Sequence, residues 1–255
     1  MNKLLGICIY RIDMIRGIIN AINSNLCNIK IIGSKKKIIE ICHVNNVNYK
    51  ELDIIDLENY VDVSLKTNEL IETKEIDGII FGDYPKDYIK NIITVENEVY
   101  ILDLKEANHL LFVPNYLKHD FIDFEDKRKA IDCGKKIMMD LNINYYNIGI
   151  VSSDIYPSLK IERNLLNNFI ELKKDNIDII NIKQVFKDDY NILIFNDRNS
   201  TNIFVESMLI HRENKFAQFM KSNNLFAIDT NKMTLQDLFF SLFLLDKITL
   251  YAKAS

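Results

Sequence analysis

Glycine is scarce in this 255-residue chain, with seven in all, and there are only three prolines. Phosphate loops usually need residues that reach positive φ and let a ligand approach the backbone, and neither a G-x-G-x-x-G run nor another Gly-rich cradle occurs. The four cysteines (Cys8, Cys27, Cys42, Cys133) have no CxxC or Cys/His pairing at zinc spacing, so they read as reduced thiols of a cytoplasmic protein. Excess charge of one sign is also missing: a net charge of −4 leaves no general electrostatic footprint for nucleic acid. Long apolar runs are absent. Leu4 to Tyr10 is followed at once by Arg11 and Asp13, and Leu238 to Leu245 is interrupted by Ser241. No targeting segment and no membrane partner are therefore expected. Carboxylates do not pair at metal-binding spacing, and His43, His109, His119 and His211 lack partners at ligand or triad spacing, so no metal site is expected and the histidines read as structural or surface groups.

What is present is an ordinary globular composition, 48% apolar and 27% charged, long enough to bury a core in one large or two modest domains. Apolar runs of strand length alternate with runs of helical spacing. Strands are expected over Leu4–Tyr10, Asn28–Gly33, Leu52–Ile55 and Asp77–Phe81. Helices are expected from Asp13 to Ala21, from Lys35, over Leu57–Glu72, and over Lys86–Ile93 after Pro85. The lysines at 35–37 oppose a helix dipole by a few tenths of a kcal/mol each, which a bound anion would relieve and a solvated run tolerates. Val99–Leu104 and His109–Val113 lie too close for a crossover, so they should pair antiparallel and mark a domain junction. Beyond them come a helix from Phe124 to Leu141 with Asp123 as cap, a strand Asn147–Ser152, a loop to Ser158, a helix Leu159–Lys174 and a strand Asp178–Ile182. Leu225–Ile228 is the last strand, and Thr234 caps a terminal helix with Gln236 and Asp237 in its first turn. That helix is apolar on most sides, as when more than one neighbour covers it, a second subunit among them.

The centre of this organisation is Asn191 to Asn202, reading NILIFNDRNSTN. Ile192 to Phe195 has the apolarity of a buried parallel strand. The polar turn leads into an apolar-periodic run from Ile203 to Phe219, a helix with Ser200 as its N-cap. Such a turn leaves backbone N–H groups and a positive helix end at the carboxyl edge of a sheet, where α/β proteins bind ligands. An ordinary capped connection fits the same residues.

These residues resemble a family. Ile192 to Ile203 is similar to the strand and turn of the phosphate acetyltransferase and phosphate butyryltransferase superfamily, where an apolar strand runs into Pro-Asp-Leu-Asn-x-Gly-Asn-Ile. Asp197, Asn199, Asn202 and Ile203 match; Asn196 replaces the Pro and Thr201 the Gly. AIDTNKMTLQD, residues 227–237, resembles the family's Asp, Ser and Arg followed by an Asp at a helix start. Asp229 and Asp237 match, Thr230 stands for the Ser, and Asn231 replaces the Arg. DGIIFG ending at Gly82, HLLFVP from His109 to Pro114, and the helix from Phe124 keep the superfamily order. The methanogenesis marker protein 4 group, a short branch of the same superfamily, is a close competitor for the resemblance.

The resemblance implies two α/β domains with a cleft between them, of the isocitrate/isopropylmalate dehydrogenase type. We expect residues 1–95 with 232–255 in one domain and 96–231 in the other. It implies acyl transfer between coenzyme A and inorganic phosphate, with acyl-CoA or acyl phosphate as small-molecule partners, no tightly bound cofactor, and a homodimer. Asp237 is then the base toward the thiol and Thr230 a donor to the oxyanion, while Asp197, Arg198, Asn199, Ser200, Thr201, Asn202, Asn231 and Gly82 bind substrate. A thiol of pKa about 8.5 needs a carboxylate nearby, and fixed oxyanion donors each contribute roughly 3 to 4 kcal/mol. Asn231 has no charge, so the cation must come from Arg198 or Arg212. Asp237 also reads as a first-turn carboxylate suiting the helix dipole, Thr230 as a loop residue, and Asp197 with Asn199 as turn builders. The alternative is a degenerate relative that binds a ligand without transfer. A dehydrogenase is less favoured, because no paired carboxylates at metal spacing and no dinucleotide fingerprint occur.

Overall fold

The computed structural model describes residues 2–104, 109–115, 124–144, 147–151, 176–182, 184–185, 190–210, 213–222 and 225–254. The Asp123 cap, the loop at 153–158, the helix at 159–174 and Arg212 lie outside these residues. The chain divides into two compact units, Met1–Glu96 with Ala217–Ser255, and Asn97–Phe216.

The first unit opens with four parallel strands, β1 (Lys3–Ile7), β2 (Asn28–Gly33), β3 (Asp53–Asp56) and β4 (Gly78–Phe81), in the order β3-β2-β1-β4. Helices α1 (Ile12–Asn23), α2 (Lys35–Val44) and α3 (Tyr60–Glu72) make the crossovers, and α4 (Lys86–Ile89) is a single turn after Pro85. β4 is buried throughout, as its unbroken GIIF apolarity requires of a central parallel strand. β1 is shorter than its apolar run, because Cys8 adopts φ 52° and turns the chain at the strand's carboxyl end. Met14, Ile15, Ile18 and Ala21 form the buried face of α1. The lysines at 35–37 are exposed; Ser34 caps α2, and Asp56 accepts the Lys35 N–H at 2.9 Å. His43 is a surface group edge-on to Tyr49.

In the second unit β5 (Asn97–Leu104) and β6 (His109–Asn115) pair antiparallel from Glu98↔Asn115 to Leu104↔His109, as their short connection requires. β6, β9 (Ile192–Ile194), β7 (Ile148–Val151) and β8 (Ile177–Ile180) follow in parallel. α5 (Phe124–Asp140) packs on this sheet, and Gly134 lets Ile192 approach so closely that a Cβ would lie 3.2 Å from it. α6 (Arg198–Leu209) starts at the end of β9.

α6 stops well short of Phe219. Residues 215–222 form a strand instead, β10 (Lys215–Ser222), antiparallel to β11 (Leu225–Asp229) with Phe219 opposite Ile228 and Met220 opposite Ala227. Helical spacing over 203–219 is overridden by a strand in which Phe216, Ala217, Phe219 and Met220 are buried, the last two opposite β11. β11 in turn pairs parallel with β4, so residues 217–231 belong to the first unit and not, as the pattern alone suggests, to the second. The terminal helix α7 (Leu235–Ala254) lies on α1, where a Cβ on Gly17 would come within 2.7 Å of Leu238. Its all-round apolarity is taken up largely inside this unit, with Leu238, Leu242, Leu244 and Leu245 buried and Phe243 exposed. Among the described residues no helix is long and apolar enough to cross a membrane.

Candidate functional site

The residues singled out in the sequence fall into two groups, each at the carboxyl edge of its own unit's parallel strands. In the first unit β11 runs out at Asp229, and Thr230 turns onto the end of β4, where its N–H (3.0 Å) and its hydroxyl (2.9 Å) both donate to the Phe81 carbonyl. This sets Thr230 beside Gly82. A Cβ on Gly82 would sit 2.6 Å from the Cys8 carbonyl oxygen, so backbone lies on backbone here at a distance that a side chain would not allow. Asp229 accepts the Asn231 N–H (3.0 Å) and closes the turn, leaving Asn231 exposed. Thr234 and Asp237 then form a reciprocal capping box. The Asp237 carboxylate accepts the Thr234 N–H (2.8 Å) and hydroxyl (2.7 Å), and the Asp237 N–H donates back to Thr234 Oγ1 (3.2 Å). Thr230 and Asp237 are 1% and 6% exposed, so each candidate catalytic group is buried and already bonded within the fold.

One residue of this group escaped the sequence reading. Arg11, from the β1–α1 turn, donates Nη1 to the Thr230 carbonyl (2.9 Å) and Nη2 to the Met233 carbonyl (2.9 Å), and pairs through Nη2 with Asp13 (2.5 Å). A guanidinium thus sits on the loop in which position 231 carries a neutral asparagine. Its partners on the loop are carbonyls more than two hundred residues away in sequence, which no spacing rule encodes. Nearby, burial raises the Cys8 thiol and the Tyr10 phenol above their ordinary pKa values. Both stay protonated at neutral pH, so neither is a ready nucleophile. Tyr10 accepts the Ser34 N–H (2.9 Å), with Lys37 Nζ 3.9 Å above its ring.

In the second unit Asp197, and not Ser200, is the cap of α6. Its carboxylate accepts the Ser200 N–H (2.8 Å) and hydroxyl (2.7 Å), while the Thr201 hydroxyl donates to the Asp197 carbonyl (3.0 Å). Burial pushes the Asp197 carboxyl up, but the Ser200 hydroxyl and the N–H groups of Ser200 and Asn199 outweigh it and hold the pKa below the usual carboxylate range. An anion approaching this helix end meets a carboxylate already in place. A group with a depressed folded pKa stabilises the fold above its unfolded pKa of about 3.9, and that contribution is lost as pH falls through the lower folded value. Asp197→Ala is expected to cost about 1 kcal/mol at pH 7. Urea denaturation should find the gap to wild type narrowing below about pH 4.

Beside this cap lies a buried polar chain. Asn115 Nδ2 donates to Glu98 (2.5 Å) and to the Tyr100 hydroxyl (3.0 Å), which donates in turn to Asn202 Oδ1 (3.0 Å). Arg198 approaches Glu98 at 3.8 Å. With Nδ2 donating to both Glu98 and Tyr100, Asn115 Oδ1 is left as a buried atom without a partner among the described residues, at a cost of roughly 1 to 3 kcal/mol. The sequence signal was a polar residue at the start of one apolar strand and at the end of the next, but its meaning emerges only once Glu98 and Asn115 are register partners. Lys127, 4% exposed, donates to Asn196 (2.6 Å) at the end of β9. Asn199 is exposed. Among the described residues no group of three or more His, Cys, Asp or Glu side chains could hold a metal ion.

No protein-family profile matches the sequence. The fold, however, has solved counterparts over nearly its full length. A branched-chain phosphotransacylase from Enterococcus faecalis V583 aligns with TM-score 0.73 at 10% identity, covering 96% of this chain and 98% of that one. A phosphotransacetylase from Streptococcus pyogenes aligns with TM-score 0.70 at 12% identity, covering 99% and 94%. Isocitrate dehydrogenase from Methylococcus capsulatus is more distant, with TM-score 0.51 at 8% identity over 100% and 84%. The fold is therefore the α/β architecture common to phosphotransacylases and isocitrate dehydrogenase-like proteins.

Proposed function

We propose that this chain moves a short acyl group between coenzyme A and inorganic phosphate. The observation that carries the reading is the 230–237 loop. At the carboxyl edge of the first unit's sheet it gathers Thr230, Asn231 and the Asp237 carboxylate, with the Arg11 guanidinium hydrogen-bonded to its carbonyls. The fold shared with phosphotransacylases supports it. From the acyl-CoA side, a phosphate oxygen attacks the thioester carbonyl, the C–O bond forms, the C–S bond breaks and coenzyme A leaves as thiolate, to be protonated. In the other direction Asp237 takes the proton of the thiol as its sulfur attacks the acyl phosphate and phosphate departs. The Thr230 hydroxyl, spent on the Phe81 carbonyl, must turn from it to donate to an oxyanion. Asn231 and Arg11 offer donors without that rearrangement.

A second reading has its own support. Thr230 and Asp237 are buried and bonded within the fold, and Asn231 is neutral, which suits a relative that binds an acyl-CoA or acyl phosphate without turning it over. The test is phosphate-dependent release of coenzyme A thiol from acetyl-, propionyl- and butyryl-coenzyme A, with binding of each followed by calorimetry. Turnover supports transfer. Binding without turnover selects the second reading, and no binding sinks both.

A further inference from the structure

We propose that Arg11 is the phosphate-binding residue of this site, supplying from the β1–α1 turn the charge that position 231 lacks; the inference rests on the acyl-transfer reading and names the cation it needs. A guanidinium offers five N–H donors in a planar fork that matches the oxygens of a phosphate. It is held from three sides: Asp13 and the Met233 carbonyl take the two Nη2 hydrogens, and the Thr230 carbonyl takes one of Nη1. That leaves the Nε–H and one Nη1–H with no partner among the described residues, on a side chain 36% exposed.

A fixed guanidinium with donors to spare differs from a surface arginine, because the entropy of ordering the side chain is already lost in the folded state. It also differs from a simple staple, which would spend its donors on the loop. The same turn offers the exposed Asn231 carboxamide. Phosphate held there would lie at the loop that carries Asp237, on a guanidinium that already pairs with the Asp13 carboxylate.

The experiment measures binding of inorganic phosphate alone and of acetyl-coenzyme A alone, by calorimetry, to wild type, Arg11→Lys, Arg11→Gln and the double variant Arg11→Gln/Asn231→Arg, with urea denaturation of each. Arg11→Gln is expected to weaken phosphate at least about tenfold, the loss of roughly 1.4 kcal/mol typical of a charge-assisted hydrogen bond, while acetyl-coenzyme A binds as before. Arg11→Lys should fall between. The double variant should recover phosphate affinity without recovering stability, since an arginine at 231 replaces the charge but not the bonds to Thr230 and Met233. A staple would lose stability in every variant and move phosphate in none. Folded Arg11→Gln with wild-type phosphate affinity overturns the proposal while leaving acyl transfer standing. A loss falling on acetyl-coenzyme A and sparing phosphate overturns it as well. Wild type that binds neither ligand removes the acyl-transfer reading and this proposal together.

Discussion

Asp237→Asn is expected to reduce turnover by about 10² to 10⁴-fold, the range contributed by a positioned general base, while leaving the fold nearly as stable as before. The two halves of that result follow from the capping box. Both bonds from Thr234 end on one carboxylate oxygen, Oδ2, and the carbonyl oxygen of an asparagine can occupy that place. The substitution therefore keeps the acceptor of the box and loses the charge near the N-terminus of α7, which is worth about 0.3 to 1 kcal/mol. A carboxylate that merely caps would show the small stability change with unaltered turnover, and that result would falsify its role as base. Thr234→Ala is the complementary variant. It removes the hydroxyl partner and costs about 1 kcal/mol as a lost cap, yet it retains the carboxylate, so turnover should survive within a few-fold. Steady-state release of coenzyme A thiol and urea denaturation, run on both variants, separate chemistry from capping.

How much of this was legible beforehand depends on whether the cause was local. Buried parallel strands at Gly78–Phe81 and Ile192–Ile194 are apolar on both faces, and an unbroken apolar run between polar turns reports that directly. The antiparallel pair at 97–115 follows from the shortness of its connection, and the Thr234 cap from its place before an apolar run, the reciprocal bonds to Asp237 being added by the structure. What escaped was decided at long range. Residues 215–222 carry apolar pairs that suit a helix face as well as a doubly buried strand, and pairing with β11 settles the choice. The N-cap at 197 competes with the one at 200 because both residue types accept well; the strand's end at Ile194 sets which comes first. Arg11 was invisible for a different reason. Its partners on the loop are main-chain carbonyls, which every residue possesses, so no side-chain pattern marks them. The candidate site therefore showed its loop in the sequence and withheld its cation.

Gly82→Ala is expected to destabilise the protein by about 3 kcal/mol or more, the upper part of the range for overpacking. The reason lies in what the added methyl would meet. It would stand 2.6 Å from the Cys8 carbonyl oxygen and 3.0 Å from the Ile9 Cα, both main-chain atoms. That backbone cannot retreat freely. Cys8 already sits at φ 52°, its N–H bonds to the Ile32 carbonyl (2.8 Å), its carbonyl accepts the Asp83 N–H (2.8 Å), and the Gly82 N–H holds the Ile7 carbonyl (2.9 Å). Relief by movement would break the end of a central strand. Gly149 makes the useful contrast: a methyl there is closer still, 2.3 Å from its nearest atom, but that atom is the terminal carbon of Ile180, which a rotamer change can swing aside at about 0.5 to 1.5 kcal/mol. Gly149→Ala should accordingly cost less than Gly82→Ala despite the shorter contact. The pair also decides what Gly82 is for. If it lets a ligand approach the backbone, Gly82→Ala would fold normally and lose binding. If it lets β4 pack against the turn after β1, stability falls first, and the acyl-CoA binding proposed for this site falls with it, because Thr230 hangs from the carbonyl of the adjacent Phe81 and the 230–237 loop moves with the strand end. Urea denaturation and calorimetry on the two alanine variants distinguish these outcomes, and the backbone contact to Cys8 makes the second the expected one.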